Sequence, residues 1–175
     1  MIELIKNLIQ VFWLFLPAGF ANMAPIIFKK INFLNKPINK QLFGANKTYR
    51  GFFFGILSAI IIVYIQISVS NYIPREYILI SYTTTNAIFI GFLLGFGALF
   101  GDLIKSFFKR RKGIKSGEPW VIADQIDWII GAVIFLNFYA PLSLSINIMA
   151  IIIFSIFHPL IRYVGYLLKI ADKKL

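Results

Sequence analysis

The chain has 175 residues, of which 59% are hydrophobic and 14% charged, and its formal net charge is +11. Average soluble domains carry about 45–50% apolar and about 25% charged residues, and a domain this small cannot bury so large an apolar excess. These values exclude an ordinary soluble protein and favour one integral membrane domain over residues 1–175. With no cysteine and one histidine, thiolate and histidine-rich metal sites are excluded too.

Long uncharged stretches predict the membrane spans. The first three stretches have 22, 24 and 25 residues, and each exceeds the about 20 helical residues that cross a hydrocarbon core. The fourth, residues 128–161, is too long for one crossing and contains Asn137 and Pro141, which favour a break between two spans. The sequence therefore predicts an all-α membrane protein with five transmembrane helices, at approximately residues 7–28, 52–73, 78–104, 125–140 and 144–161.

Basic residues lie on one side of this arrangement. Six Lys or Arg fall in the loop 29–50, six in the loop 105–115 and four after residue 161, whereas only Lys6 and Arg75 fall on the other side. The positive-inside bias then predicts a multi-pass cell-membrane protein with its N-terminus outside and two functional loops in the cytoplasm. Such a surface also attracts anionic membrane lipids.

The first span and first loop contain candidate binding residues. Asn22 lies between Pro17 and Pro25, which predicts a polar group that faces either a cavity or a neighbouring helix. The loop ends in Gly-Ala-Asn-Lys-Thr-Tyr-Arg-Gly at residues 44–51, whose backbone N–H groups and cations could bind phosphate. The pattern is not a P-loop, and an ordinary polar loop is the alternative interpretation.

Carboxylates are concentrated where topology does not require them. Four of the seven acids, Asp102, Glu118, Asp124 and Asp127, fall within 26 residues inside the most basic segment. Ionisable residues at the level where a span meets the cytoplasm suggest function. Three carboxylates without His or Cys ligands predict Mg²⁺ or Mn²⁺ rather than zinc, which is typical of phosphoryl or nucleotidyl transfer. Interfacial salt bridges are the alternative.

Helical spacing would bring these groups together. If the third span continues as a helix beyond Asp102, then Ser106, Lys109 and Arg110 share its face. Asp124 and Asp127 are three residues apart and share a face at the start of the fourth span. Two neighbouring helices would therefore place three carboxylates beside several cations.

The same residues resemble a known family. The segment 101–110, Gly-Asp-Leu-Ile-Lys-Ser-Phe-Phe-Lys-Arg, and the later Asp124-Gln-Ile-Asp127 resemble the signature region of integral-membrane phosphatidate cytidylyltransferases. Residues 46–51 resemble their upstream Lys-Thr-aromatic segment. The chain length, the proline-rich element 17–25 and His158-Pro159 resemble the archaeal branch more specifically. Ser116 after Lys115, and Gln125 in place of an arginine, depart from the bacterial and eukaryotic pattern and suit that branch.

The resemblance implies the reaction. CTP and an unsaturated archaetidic acid (2,3-di-O-geranylgeranylglyceryl 1-phosphate) would give CDP-archaeol and pyrophosphate in the presence of Mg²⁺, at a site open to the cytoplasm. The partners would be CTP, an isoprenoid ether lipid phosphate and membrane lipids, with no nucleic acid, because the basic loops lack interleaved aromatic platforms. No feature of the sequence indicates an oligomeric state.

Roles follow for the individual residues. We expect Asp102, Asp124 and Asp127 to hold the metal, and hydroxyls or amides to contact substrate at Asn22, Asn46, Thr48 and Ser106. We expect charge neutralisation from five cations: Lys47, Arg50, Lys109, Arg110 and Lys115. The alternative is a small non-catalytic membrane transporter or lipid-binding protein, although a transporter would favour ionisable residues deep within its spans.

Overall fold

The computed structural model describes residues 1–167 apart from the side chain of Arg162, and over that range it is helical with no strand. Its six α-helices are α1 (Ile2–Ile27), α2 (Lys40–Phe43), α3 (Tyr49–Val69), α4 (Thr84–Arg111), α5 (Ala123–Tyr139) and α6 (Leu144–Leu167). The prediction of an all-helical fold is confirmed. The tail lysines used in the orientation argument, Lys169, Lys173 and Lys174, lie outside the described residues.

Within residues 1–167, four segments are long and apolar enough to cross a membrane. They are α1, α3 with the 3-10 turn that follows it, α4 and α6. The remaining long helix, α5, has 17 residues, which corresponds to about 26 Å at 1.5 Å per residue. It packs against α4 and α6, and its inward side chains Trp128, Ile129 and Leu136 are buried in the shared core. The chain is therefore a membrane protein built around one helical bundle.

The helix α4 differs most from its predicted span of 78–104. Residues 78–83 are not helical, because Thr83 begins the helix with a capping box in which its side chain and that of Asn86 bond each other's backbone. At the other end α4 continues to Arg111, so its 28 residues reach about 42 Å. A hydrocarbon core is about 30 Å thick. The helix α4 is longer than that, so its last turns and their basic side chains can extend beyond the hydrocarbon core.

Glycines on two faces of α4 allow close approach of the neighbouring helices. A Cβ on Gly95 would lie 2.9 Å from the Ala59 side chain of α3, and a Cβ on Gly101 would lie 2.2 Å from the carbonyl oxygen of Asp127 in α5. On α5, a Cβ at Gly131 would meet the main chain of α4 at 2.1 Å. Small residues allow helix backbones to pack closely in membranes. Here they bring the first turns of α5 against the part of α4 that precedes Asp102.

At the opposite end of the bundle, neutral amide side chains hold the connecting segments in place. Asn137 accepts a hydrogen bond from the backbone of Leu142 at 2.8 Å and donates one to Asn147 at 3.0 Å, which holds the turn between α5 and α6. Gln10 of α1 donates to the carbonyl of Glu76 at 2.6 Å. The segment before α4 packs into this end, where burial raises the pKa of the Tyr82 phenol and keeps it neutral.

Candidate active site

The three predicted aspartates meet around one lysine. The Lys105 Nζ lies 3.0 Å from Asp102 Oδ1, 2.6 Å from Asp124 Oδ1 and 2.9 Å from Asp127 Oδ2. Asp102 and Lys105 are one turn apart on α4, and the other two acids occupy the first turns of α5. Only 12% of the Lys105 side chain and 6% of the Asp127 side chain are exposed. The prediction that helical spacing gathers these carboxylates agrees with this geometry.

Two further lysines complete the charge balance. Lys47, from the loop before α3, pairs with Asp102, and Lys109, one turn after Lys105, donates to both carboxylate oxygens of Asp124 at 3.1 Å. Three ammonium groups therefore face three carboxylates. Buried charges of this kind are stable only when they are paired, because each would otherwise lose its hydration without compensation.

The segment 112–122 folds against this cluster. Its Trp120 backbone N–H donates to Asp124 Oδ2 at 2.7 Å, and Lys109 also donates to the carbonyl of Glu118. Ile122, with a φ of 71° just before α5, turns the chain into that helix. The segment is thereby attached to both helices that carry the aspartates, so its position depends on the ion pairs.

The donor set has the chemistry of a magnesium site, but its centre holds an ammonium group. Among residues 1–167, no three acidic, His or Cys side chains are grouped so that they could hold a metal ion directly. Oxygen-to-Nζ distances of 2.6–3.0 Å exceed the about 2.1 Å of a Mg²⁺–oxygen bond. Three carboxylates are nevertheless the hard ligands that Mg²⁺ prefers. Asp127 Oδ2 is buried without a hydrogen-bond donor of good geometry, so it retains capacity to bind a cation.

An apolar groove of about 450 Å³ begins at the cluster and runs between α4 and α5. Lys105 and Asp127 line one part of it, and Ile130, Ile134 and Phe135 line it further along α5. Ile134 is 49% exposed on the outer surface of the bundle, where a membrane protein meets lipid. The groove therefore joins a charged site to the hydrocarbon side of the protein.

The first loop supplies one of its predicted residues to the cluster and uses two others structurally. Lys47 reaches Asp102 as described. The Thr48 hydroxyl caps α3 by accepting from the Gly51 N–H at 3.2 Å, and the buried Arg50 guanidinium donates to the Ile31 carbonyl at 2.7 Å. Thr48 and Arg50 thus hold the loop in shape.

The two basic loops contact each other. A Cβ on Gly44 would contact the Ser116 side chain at 2.8 Å, and one on Gly117 would lie 3.8 Å from the Asn46 amide. Lys115 is exposed beside this junction, and its backbone N–H donates to Glu118. The predicted residues Asn46 and Lys115 therefore lie near the junction of the two loops.

The remaining predicted residues are dispersed. Arg110 lines a small pocket with Gln41 and Leu42 of α2, next to the cluster face of α4. Ser106 is 4% exposed on α4, one turn from Asp102. Asn22 is partly buried in α1, close to Pro25, which packs against the start of α3.

Lys105 is the residue that the sequence analysis counted as a basic loop residue and did not place in the site. Its signal was available, because a position three residues after Asp102 on a helix lies beside it. The Gly97-to-Gly101 spacing was a second available signal, since glycines four apart mark a close helix contact in membranes. Together they would have indicated that α5 approaches the Asp102–Lys105 face of α4.

Fold and site together define a class: a helical membrane enzyme with an ionic cluster at one end of its bundle. A family model described as CarS-like, CDP-archaeol synthase, matches residues 1–174. Accordingly, the chain belongs to the CDP-archaeol synthase family, whose members are cytidylyltransferases. The resemblance drawn from residues 101–127 is confirmed.

Relatives and a solved structure agree with that membership. The CDP-archaeol synthase of Methanococcus vannielii is 40% identical, with 98% of each chain covered. That of Methanocaldococcus jannaschii is 33% identical, with 91% of this chain and 93% of the relative covered. A solved structure described as an intramembrane enzyme for archaeal membrane lipids biosynthesis has a similar fold, with a TM-score of 0.68, 23% identity, and 84% of this chain and 89% of that chain covered.

Proposed function

We propose that the chain transfers CMP from CTP to an unsaturated archaetidic acid, which gives CDP-archaeol and pyrophosphate, with Mg²⁺ as the cofactor. The observation that carries the proposal is the cluster of three aspartates and three lysines at one end of an apolar groove. A nucleotide and a metal would bind at the ionic cluster, whereas a lipid phosphate needs both the cluster and the apolar groove. A site for soluble nucleotides alone does not require an apolar groove.

The groove suits an isoprenoid chain. It opens on the outer surface between α4 and α5, so a lipid substrate would enter sideways from the bilayer without leaving it. Ile130, Ile134 and Phe135 offer branched and aromatic contacts along the path of the chain. The lipid phosphate would then lie at the charged end, near Lys105 and Asp127, where its negative charge meets an ammonium group.

The chemical step needs no general base. A phosphate oxygen of the lipid attacks the α-phosphorus of CTP in line, a new P–O bond forms, and the bond to the bridging oxygen of the β-phosphate breaks with release of pyrophosphate. A phosphate is already ionised near neutral pH, so the protein contributes positioning and charge neutralisation. Lys47 pairs with Asp102 and Lys109 with Asp124, and both would contact the triphosphate. Lys115 and Asn46 would contribute from the junction of the two loops.

The aspartates would hold the metal. Its ligands would be Asp102, Asp124 and Asp127. Bound Mg²⁺ would neutralise the charge of the triphosphate and of the leaving pyrophosphate. Arg110 would contact phosphate oxygens only if substrate extends toward α2. Ser106 and Thr48 would bond phosphate oxygens through their hydroxyl groups, and Arg50 would add positive charge. Asn22 stays a candidate pocket residue.

We also propose five spans, with the N-terminus outside and the site facing the cytoplasm. The two basic loops contact each other at one end of the bundle, and CTP is a cytoplasmic metabolite. Since the chain has no cysteine, single-cysteine labelling is free of background. In intact cells, an impermeant maleimide should label Tyr72→Cys and should label Lys40→Cys only after permeabilisation. The reverse pattern would overturn the orientation.

The activity test uses purified protein, CTP, Mg²⁺ and a panel of acceptors. We expect pyrophosphate and a CDP-lipid with the geranylgeranyl ether phosphate, little product with diacyl phosphatidate and none without lipid. Equal use of diacyl phosphatidate would keep cytidylyl transfer and remove the ether-lipid assignment. No product with any acceptor, from folded protein, would favour a non-catalytic lipid-binding or transport role.

A further inference from the structure

We infer that Lys105 is an exchangeable counterion: it occupies the centre of the three aspartates until a divalent cation binds there, and it then turns to the acceptor phosphate. This rests on the proposed function, because it assigns Lys105 to the lipid phosphate of that same site. It would make Lys105 the residue that links metal binding to acceptor binding.

The contacts of Lys105 distinguish it from the other two lysines. Among the described residues, Lys47 pairs with Asp102, and Lys109 is also held by the Glu118 carbonyl. Within residues 1–167, the polar contacts of the Lys105 ammonium group are with the three carboxylates, each within 3.0 Å. A cation that takes those three oxygens therefore displaces Lys105 and leaves Lys47 and Lys109 in reach of their own partners.

Charge balance gives the reason for the exchange. Three ammonium groups now neutralise three carboxylates, so a divalent cation at the centre makes the cluster electropositive by two charges. The ammonium group of Lys105 is then repelled, and it sits on a flexible four-carbon stem that allows the head group to turn. A cluster with surplus positive charge is a suitable place for phosphate.

The direction of that movement follows from the groove. Lys105 lines the apolar groove together with Asp127, whereas Lys47 and Lys109 do not. A displaced Lys105 head group would thus remain at the charged end of the groove, where the lipid phosphate is proposed to lie. The nucleotide would be held by the other two lysines, so the effects of Lys105 on the two substrates should separate.

The first test is a Mn²⁺ titration followed by EPR, without CTP or lipid. Lys105→Met should bind Mn²⁺ at least tenfold more tightly than the wild type, because the internal competitor is gone. Lys40→Met, which removes an exposed lysine of α2 on the same side, should bind Mn²⁺ like the wild type. Equal Mn²⁺ affinities for Lys105→Met and wild type would overturn the inference.

A second variant keeps the inference testable if Lys105→Met does not fold. Lys105→Arg preserves the positive charge, and its guanidinium forms fixed paired hydrogen bonds with carboxylates that are harder to displace. We expect Mn²⁺ binding at least threefold weaker than in the wild type. Unchanged or tighter binding in this variant contradicts exchange at the centre.

The acceptor assignment has its own measurement. With saturating Mg²⁺ and CTP, Lys105→Met should raise the KM for the lipid phosphate at least tenfold and alter the KM for CTP less than threefold. A larger effect on CTP than on lipid would overturn the assignment. The Mn²⁺ titration contains neither substrate, so its result stands whether or not the acceptor panel supports the proposed reaction.

Discussion

The two ends of the bundle use polar groups in opposite ways. At the end that holds the turn between α5 and α6, the hairpin end, Asn137 and Asn147 bond each other and that turn across ten residues of chain. At the site end, six charged groups from the first loop, α4 and α5 neutralise one another across long sequence separations. Neutral amides that satisfy each other locally hold a fold together, whereas an ionic cluster can exchange its partners for a ligand's charges.

The largest expected effect comes from the site end. Asp127→Asn removes one charge from the cluster and should lower kcat at least about a thousandfold, which corresponds to about 4 kcal/mol of transition-state stabilisation. The variant should still fold, because the amide keeps the shape of the side chain. The measurement is CDP-lipid formation by protein whose thermal unfolding has been checked.

Asn147→Ala is the matched change at the hairpin end. It removes one hydrogen-bond partner of Asn137 and should lower the free energy of unfolding by about 1 kcal/mol while kcat stays within twofold of the wild type. Turnover retained by Asp127→Asn, or turnover lost in Asn147→Ala, would contradict the division of roles between the two ends.

A smaller effect is expected where the helices carrying the aspartates touch. Gly101→Ala places a methyl group 2.2 Å from the Asp127 carbonyl, so α4 and α5 must separate. Overpacking of this kind costs about 1–3 kcal/mol, and a shift of about 1 Å in the aspartates should reduce turnover by up to about a hundredfold. Unfolding temperature and kcat are the measurements.

Gly19→Ala is the control for that substitution, since a Cβ at Gly19 has nothing within 4 Å. The alanine there should leave stability unchanged or slightly increased, because alanine favours a helix more than glycine does. If both glycine variants behave alike, close contact between α4 and α5 does not control the site.

The smallest effect should come from filling the groove. Ile134→Trp places a large side chain between α4 and α5 and should raise the KM for the lipid phosphate by about tenfold, with the KM for CTP unchanged, since apolar contacts contribute about 1–3 kcal/mol. Ile148→Trp is the comparison, because Ile148 is 48% exposed on α6 outside the groove and Ile134 is 49% exposed. Equal effects from the two variants would place the lipid elsewhere.

Much of the site could be predicted because helical spacing is local. Asp124 and Asp127 share a helix face because they are three residues apart, and Asp102 and Lys109 share a face of α4 because they are seven apart. The sequence therefore predicted these four residues as neighbours, and the structure brings them together, with Lys109 paired to Asp124. Arg50 illustrates what spacing cannot show. Its guanidinium donates a hydrogen bond to the Ile31 carbonyl. This contact depends on how the loop 28–48 folds back on the start of α3.

By itself, the sequence determined the membrane class, the helical fold and the family, and it identified the three aspartates as candidate site residues. Hydrophobicity, uncharged length and residue spacing are properties of the chain alone. Only the tertiary structure decided that Lys105 occupies the centre of the cluster and that an apolar groove leads away from it. Both depend on how closely α5 approaches α4, and the glycines allow the backbones of the two helices to lie against each other. Side chains from two helices can share a common centre only when the helices pack at such a short distance.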